Sequence, residues 1–189
     1  MSNACGVDFG TSNSTVGWLR PDAPTLLPLE DGKATLPSVI FFHAEDPTVS
    51  YGRAALADYL AGYEGRLMRS LKSLLGTSMM DDSTEVMGQA MPFRKLLAHF
   101  IGELKRRAEH AAGHEFRRAV LGRPVFFIDE DPKADQLAED TLSDIARDAG
   151  FDEIAFQYEP IAAAFDYEAG ISGEELVLVA DIGGGTSDF

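Results

Sequence analysis

Apolar and polar positions change period along this 189-residue chain, and the changes mark its elements. Over residues 4–9, 15–19, 25–29 and 36–42, short apolar and β-branched runs alternate with turn signals at Gly10, Pro21 and Asp31-Gly32, which predicts a β-meander. From Gly52 the spacing turns helical. Leu56, Tyr59 and Leu60, then Leu67, Leu71, Leu74 and Leu75, recur at steps of three and four, predicting helices over 52–62 and 65–75, the second stopped by Gly76. The polar stretch 77–89 predicts a short hairpin, and Pro92 opens a long helix whose Leu96, Leu97, Phe100, Ile101 and Leu104 form one apolar stripe with Phe93. Residues 118–128 read as a buried strand, 132–149 as an amphipathic helix ended by Gly150, 154–158 as a strand, 160–169 as a helix and 176–181 as a last strand. A meander, a mainly helical segment and then strand and helix in alternation predict a mixed α/β layer with a small subdomain inserted over 42–91.

Composition narrows the function classes. With 45% hydrophobic and 25% charged residues the chain is of globular type and long enough to bury a sizeable core. A net charge of -15 repels phosphate polymers and anionic lipid, so neither a nucleic-acid nor a membrane partner is expected, and any bound phosphate must be held by a local arrangement of backbone and cations. The N-terminus shows no basic segment followed by an apolar run, and no stretch approaches the roughly eighteen apolar residues of a membrane span; a cytoplasmic protein is expected. Cys5 has no partner cysteine and no neighbour at metal-ligand spacing, and reads as a small buried residue. Lys105-Arg106-Arg107 reads as a solvated helix face, and no metal is assigned to His99, His110 or His114.

Two stretches echo one another. Val7-Asp8-Phe9-Gly10-Thr11-Ser12-Asn13-Ser14 and Ala180-Asp181-Ile182-Gly183-Gly184-Gly185-Thr186-Ser187-Asp188 each carry an apolar strand ending in Asp, a glycine-containing turn and then hydroxyl residues. Glycine lets the backbone approach an anion closely and aim successive N–H groups at it, while hydroxyls add further donors, so each turn reads as a phosphate cradle. Asp8 and Asp181, leaving the strands beside the cradles, suit a magnesium ion that keeps most of its waters and takes only one or two carboxylates. The same residue types serve ordinary hairpin turns for conformational reasons alone, but their repetition in one order favours a single element used twice. Neither turn matches the G-x-x-x-x-G-K-[ST] loop, and neither opens a helix as the dinucleotide fingerprint requires.

At these residues the sequence resembles the superfamily of actin, sugar kinases and the DnaK-like, seventy-kilodalton heat-shock chaperones. Asp8 to Ser14 is similar to the chaperones' first phosphate motif and Asp181 to Asp188 to their second. Leu36-Pro37-Ser38-Val39 resembles their T-P-S-V segment, Tyr51-Gly52-Arg53-Ala54-Ala55 their G-x-x-A segment, Lys72-Ser73-Leu74-Leu75-Gly76 their K-R-L-I-G stretch and Glu159-Pro160-Ile161-Ala162-Ala163-Ala164 their E-P-T-A-A-A helix. The resemblance implies an actin-like, ribonuclease H-like ATPase lobe: a mixed five-stranded sheet in a core subdomain of residues 1–41 and 92–189, and a small α+β subdomain over 42–91. It implies that ATP or ADP is bound with magnesium. Asp8 and Asp181 would orient the metal's water shell, Thr11 and Ser12 would contact the β- and γ-phosphates with Gly10 also among the nucleotide-binding residues, and Gly183, Gly184 and Gly185 would supply backbone donors with Thr186 near the γ-phosphate. Lys72 would neutralise transition-state charge, and Glu159 and Asp188 would orient water or accept a proton. Without the resemblance, Lys72 would read as a solvated lysine on a helix and Glu159 as a first-turn carboxylate on a helix dipole.

Two departures stand out. Where the chaperones carry an arginine-containing D-S-Q-R-Q-type segment, this chain reads Asp129-Glu130-Asp131-Pro132-Lys133-Ala134, which puts the relay to a substrate-binding domain in doubt. Phe189 also falls within the returning strand of the second phosphate motif, so the expectation is a first lobe without its second, binding ATP weakly and hydrolysing almost none alone. The parent is expected to be an ATP-hydrolysing chaperone acting on unfolded polypeptide clients with co-chaperones, through parts not in this chain. A small-molecule kinase of the same superfamily, an actin-like filament protein and a nucleotide-sensing scaffold are the alternatives.

Overall fold

Strand β1 (Ala4–Phe9) buries Cys5, Val7 and Phe9 on one face and turns Gly6 and Asp8 to the other, as the two-residue period of a strand requires. The structure is a computed structural model that describes residues 4–168, 170, 172–184, 187 and 188, with the side chains of 181, 182, 187 and 188 outside the description. β1 pairs antiparallel with β2 (Asn13–Gly17) and parallel with β9 (Arg118–Arg123). β10 (Glu153–Tyr158) extends the sheet parallel to β9, and β3 (Thr35–Pro37) extends it antiparallel to β2, so the order is β10-β9-β1-β2-β3. The sheet is mixed and five-stranded, as expected.

Helices cover the buried face. α2 (Phe93–Ala112) lays Leu96, Leu97, Phe100, Ile101 and Leu104 against the sheet, with the Phe9 and Phe100 rings 5.7 Å apart, and ends where Gly113 takes a left-handed conformation. α3 (Pro132–Asp148) buries Ala138, Leu142, Ile145 and Ala146; Asp131 caps it by accepting from the N–H groups of Lys133 and Ala134 at 3.1 Å each. The Cys5 thiol lies in this core, where burial pushes its pKa up to about 12.

The run over 36–42 is two strands rather than one. Pro37 has no N–H to continue the ladder, and after Ser38 the chain leaves the main sheet to form β4 (Val39–His43), the centre of a second sheet between β5 (Val49–Tyr51) and β6 (Gly65–Arg69). β4 is buried on both faces. Ile40 and Phe42 join the main core, while Val39 and Phe41 pack with Ala55 of α1 (Gly52–Leu60). The helix expected over 65–75 is therefore corrected: β6 pairs with β4 from Gly65 to Arg69, Ser70 takes a left-handed conformation, and Leu71–Leu74 form one 3₁₀ turn. Leu67 and Leu71 lie four residues apart without sharing a helix face, because Leu67 packs in the small core and Leu71 in the large one. β7 (Ser83–Val86) and β8 (Gln89–Pro92) form the expected hairpin around Met87 and Gly88, both at positive φ.

Three further strand expectations are shortened. Residues 25–29 make only a single bridge, Leu26 to Gly17, since Pro24 and Pro28 interrupt the donors beside it. β9 stops at Arg123 because Pro124 ends the ladder. Residues 174–180 form no strand, and Leu176 is 103% exposed; the only later strands described are β11 (Asp181–Ile182) and β12 (Ser187–Asp188). An apolar run becomes a strand only when a neighbour completes its hydrogen bonds. α4 (Glu159–Glu168) forms as expected but buries only Pro160.

The Lys105-Arg106-Arg107 face is not simply solvated. Lys105 pairs with Glu109 at 2.6 Å, Arg107 bridges Glu103 at 2.7 Å and Glu30 at 3.2 Å, and Arg106, the most outward of the three, also pairs with Glu103 at 2.7 Å. Glu30, 7% exposed, also accepts from the backbone N–H and guanidinium of Arg53, and so ties α1 to α2. Burial works to raise its pKa, but the Arg53 and Arg107 donors outweigh it and hold the carboxyl below its ordinary 4.5. A lowered folded pKa contributes stability that is fully present above the ordinary value and is lost as pH falls through the folded one. Glu30→Gln should therefore cost about 1–3 kcal/mol at pH 7, and urea-denaturation midpoints of the two proteins should draw together as pH falls below the ordinary carboxyl value of 4.5.

Candidate active site

The carboxyl ends of β1, β9 and β10 meet at one edge of the sheet, because the three strands run parallel. The β1–β2 turn opens at the same edge, and a cleft of about 890 Å³ lies over it. Asp8, Gly10, Thr11 and Ser12 line this cleft, as do Lys72 and Glu159. Gly183 and Gly184 line it too. Ten of the twelve positions singled out from sequence are described at least in backbone; Gly185 and Thr186 lie outside the described residues. For Asp181 and Asp188 only the backbone is described, and it pairs them directly across the β11–β12 hairpin.

Lys72 and Glu159 come together across 87 residues. The Lys72 ammonium donates to Glu159 Oε1 at 2.7 Å, with the two side chains 7% and 15% exposed. Lys72 thus sits in a 3₁₀ turn and not on the helix expected for it, and it is buried rather than solvated. The short turn, closed by the N–H of Leu75 on the Lys72 carbonyl, faces Lys72 to the cleft while Leu71 and Leu75 sink into the core. Glu159 opens α4 directly after β10, so the end of a sheet strand fixes its place.

Two glycines leave space that this arrangement requires. A Cβ on Gly122 would lie 3.2 Å from Glu159 Cγ and 3.4 Å from its Oε1, so a side chain at the end of β9 would crowd the carboxylate and push it a few tenths of an ångström aside. A Cβ on Gly184 would fall on the Ser12 hydroxyl; the two phosphate-type turns approach each other at that point. The turn offers hydroxyl and close backbone donors to an anion, while the Lys72 ammonium is paired with Glu159 and the Asp8 and Asp166 carboxylates line the same cleft, so a polyanion held there would need a bound cation to offset them.

Sequence reasoning missed three residues here. Gly122 carried no signal beyond its place in an apolar run. Arg123, inside the stretch expected as plain buried strand, is buried and pairs with Glu139 and, at 2.8 Å, with Asp135 of α3, its guanidinium 5.2 Å from the Tyr158 ring. Asp166 faces the cleft from α4, two residues past the quoted helix motif.

A mixed sheet that gathers a glycine turn and a lysine–glutamate pair at its carboxyl edge defines a lobe of the actin-like ATPase fold. The sequence profile of the family described as Hsp70 protein matches residues 4–94 and 82–189. The chain is 32% identical to the chaperone protein DnaK of Thermosipho melanesiensis over 97% of its length, and equally to that of Thermosipho africanus. It is 31% identical to the chaperone protein HscA homolog of Pseudomonas paraeruginosa over 98% of its length. It spans 29% of the length of the DnaK relatives and 32% of the HscA homolog. The chain belongs to the Hsp70 family.

The buried ion pair sets a stability prediction. Removing either charge strands its partner in the cleft, so Lys72→Met and Glu159→Gln should each cost on the order of 3 kcal/mol. The double variant should cost less than the sum, with a coupling of about 0.5–3 kcal/mol in a denaturant-unfolding cycle; additivity would show that the two side chains do not interact in solution.

Proposed function

We propose that this chain is the first lobe of the ATP-binding and ATP-hydrolysing domain of a DnaK-like chaperone. The observation that carries the reading is the Lys72–Glu159 pair at 2.7 Å, buried in the same cleft as the Gly10–Ser12 turn. A kinase or a filament protein is not favoured, since the relatives found are chaperones by name.

In this reading Gly10, Thr11 and Ser12 hold the outer phosphates of ATP from one side, and Gly183, Gly184, Gly185 and Thr186 from the other. Asp8 and Asp181 would hold magnesium through its waters, which suits an ion that takes few carboxylates, and the bound ion would offset phosphate charge. Lys72, fixed in advance by Glu159, needs no reorganisation to face the charge that develops during transfer. Glu159, and with it Asp188, would orient the attacking water or take its proton. Most of the rate enhancement then comes from placement and electrostatics, which a second lobe would complete by closing the cleft. α4, with Phe165 and Ile161 exposed, is the surface against which that lobe would pack. The insert over 42–91, which brings in Lys72, acts as a subdomain in the same proposal. Clients and co-chaperones belong to the whole protein, and a cytoplasmic setting to the same reading; no helix among the described residues is long and apolar enough to cross a membrane.

Calorimetric titration of Mg-ATP, with a phosphate-release assay, tests this. The chain alone should bind weakly and release almost no phosphate, and Asp8→Asn should abolish the binding. In a longer protein carrying the second lobe, Lys72→Ala should lower turnover by about 10²–10³-fold. Absence of binding in that longer protein, or turnover indifferent to Lys72, would defeat the proposal.

A further inference from the structure

Ser38 lies where the chain leaves one sheet for the other, and it is 2% exposed. Its position is tied to the first phosphate-type turn by two contacts. Its N–H donates to the Ser12 carbonyl at 2.9 Å, and its hydroxyl donates to the Gly10 carbonyl at 2.7 Å. A third contact, 2.9 Å between the Ser14 and Ser38 hydroxyls, has a direction that follows from the others. A carbonyl can only accept, so the single Ser38 hydroxyl proton goes to Gly10, and Ser14, fully buried at 0%, must donate to Ser38. One hydroxyl therefore anchors the start of the turn, and the same residue's backbone anchors its far side.

The consequence is electrostatic. A carbonyl oxygen facing the mouth of an anion cradle would repel the anion; Ser38 draws two of them, from Gly10 and Ser12, away from it. All peptide bonds described are trans, so a carbonyl turned toward Ser38 turns the N–H of the next residue the opposite way. For Gly10 that next donor is the Thr11 N–H, in a residue that lines the cleft, whereas Ser38 does not. We propose that Ser38 is a positioning residue that sets the anion-binding orientation of the Gly10–Ser12 turn by holding the Gly10 carbonyl out of the cleft. The proposal rests on the reading of that turn as a phosphate cradle.

Ser38→Ala keeps the backbone bond to Ser12 and removes only the hydroxyl bond to Gly10. Two measurements separate the possible failures. Amide hydrogen exchange of residues 10–13 in the nucleotide-free chain should speed up in Ser38→Ala, and unchanged exchange would overturn the claim that Ser38 holds the turn. In the protein with both lobes, Mg-ATP affinity should fall about tenfold, the size of one lost orienting hydrogen bond, with kcat at saturation changed much less than KM. Ser14→Ala leaves the Gly10 bond in place while losing a buried hydrogen bond of the same kind, so it should weaken binding several-fold less. Equal weakening by both variants would reduce Ser38 to a stability residue and overturn the proposal. If the unsubstituted two-lobed protein does not bind Mg-ATP, the phosphate-cradle reading itself fails, while the exchange measurement still decides whether Ser38 orients the turn. Should Ser38→Ala not fold, Ser38→Cys, a much weaker donor of similar size, serves the same comparison.

Discussion

Three parallel strands decide where this molecule can do chemistry. Because β1, β9 and β10 run in one direction, their carboxyl ends share an edge, and residues far apart in sequence arrive there together. Asp8, Gly122 and Glu159 each sit at or just past the end of one of these strands. Ligands of open α/β sheets gather at such edges, since the loops and helix starts leaving the strands expose backbone groups that the ladder no longer uses. The antiparallel β2 adds its hairpin turn to the same edge, so glycine and hydroxyl donors stand beside the acids without any separate device to bring them in.

The second sheet depends on how the first one ends. Pro37 cannot extend the β2–β3 ladder, and the chain turns away at Ser38 into a strand buried on both faces. That double burial locks β4 in register, since a slip of one residue would exchange Ile40 and Phe42 for Val39 and Phe41 between two different cores. β6 then follows β4 back toward the cleft, and the 3₁₀ turn after it delivers Lys72. The ammonium reaches Glu159 because a strand and a short turn, rather than a long helix, lead into it.

Much of this was legible in the sequence, and the gaps have physical causes. The long helices α2 and α3, the central strand β1 and the two glycine turns were plain, because their apolar periods are long or their turn chemistry is repeated. Residues 65–75 misled because Leu67, Leu71, Leu74 and Leu75 imitate a helical stripe, and only pairing with β4, a tertiary fact, overrides the spacing. Residues 176–180 misled for the converse reason: their apolar, β-branched composition favours a strand, but no strand described lies beside them, and only Asp181 at the end of the run enters one. At the site, Lys72 and Glu159 were found through family motifs and not through periodicity. Ser38, Gly122 and Arg123 matter through what they hold, a carbonyl, an empty space and two carboxylates, and no local pattern announces such roles.

The pairing of β1 with β9 also bears on how the chain comes to be folded while it is being made. Cys5 lies opposite Ala119, and its thiol approaches the carbonyl of Arg118, 113 residues further along the chain, at 3.7 Å. On a ribosome adding about 5–20 residues each second, β1 waits on the order of ten seconds for that partner. Through the wait it can hydrogen-bond only to β2, and the apolar face carrying Val7 and Phe9 stays uncovered until α2 follows. Within its sheet the central strand is thus made before its four neighbours and completed only when β9 arrives, and until then its apolar face is open to other surfaces.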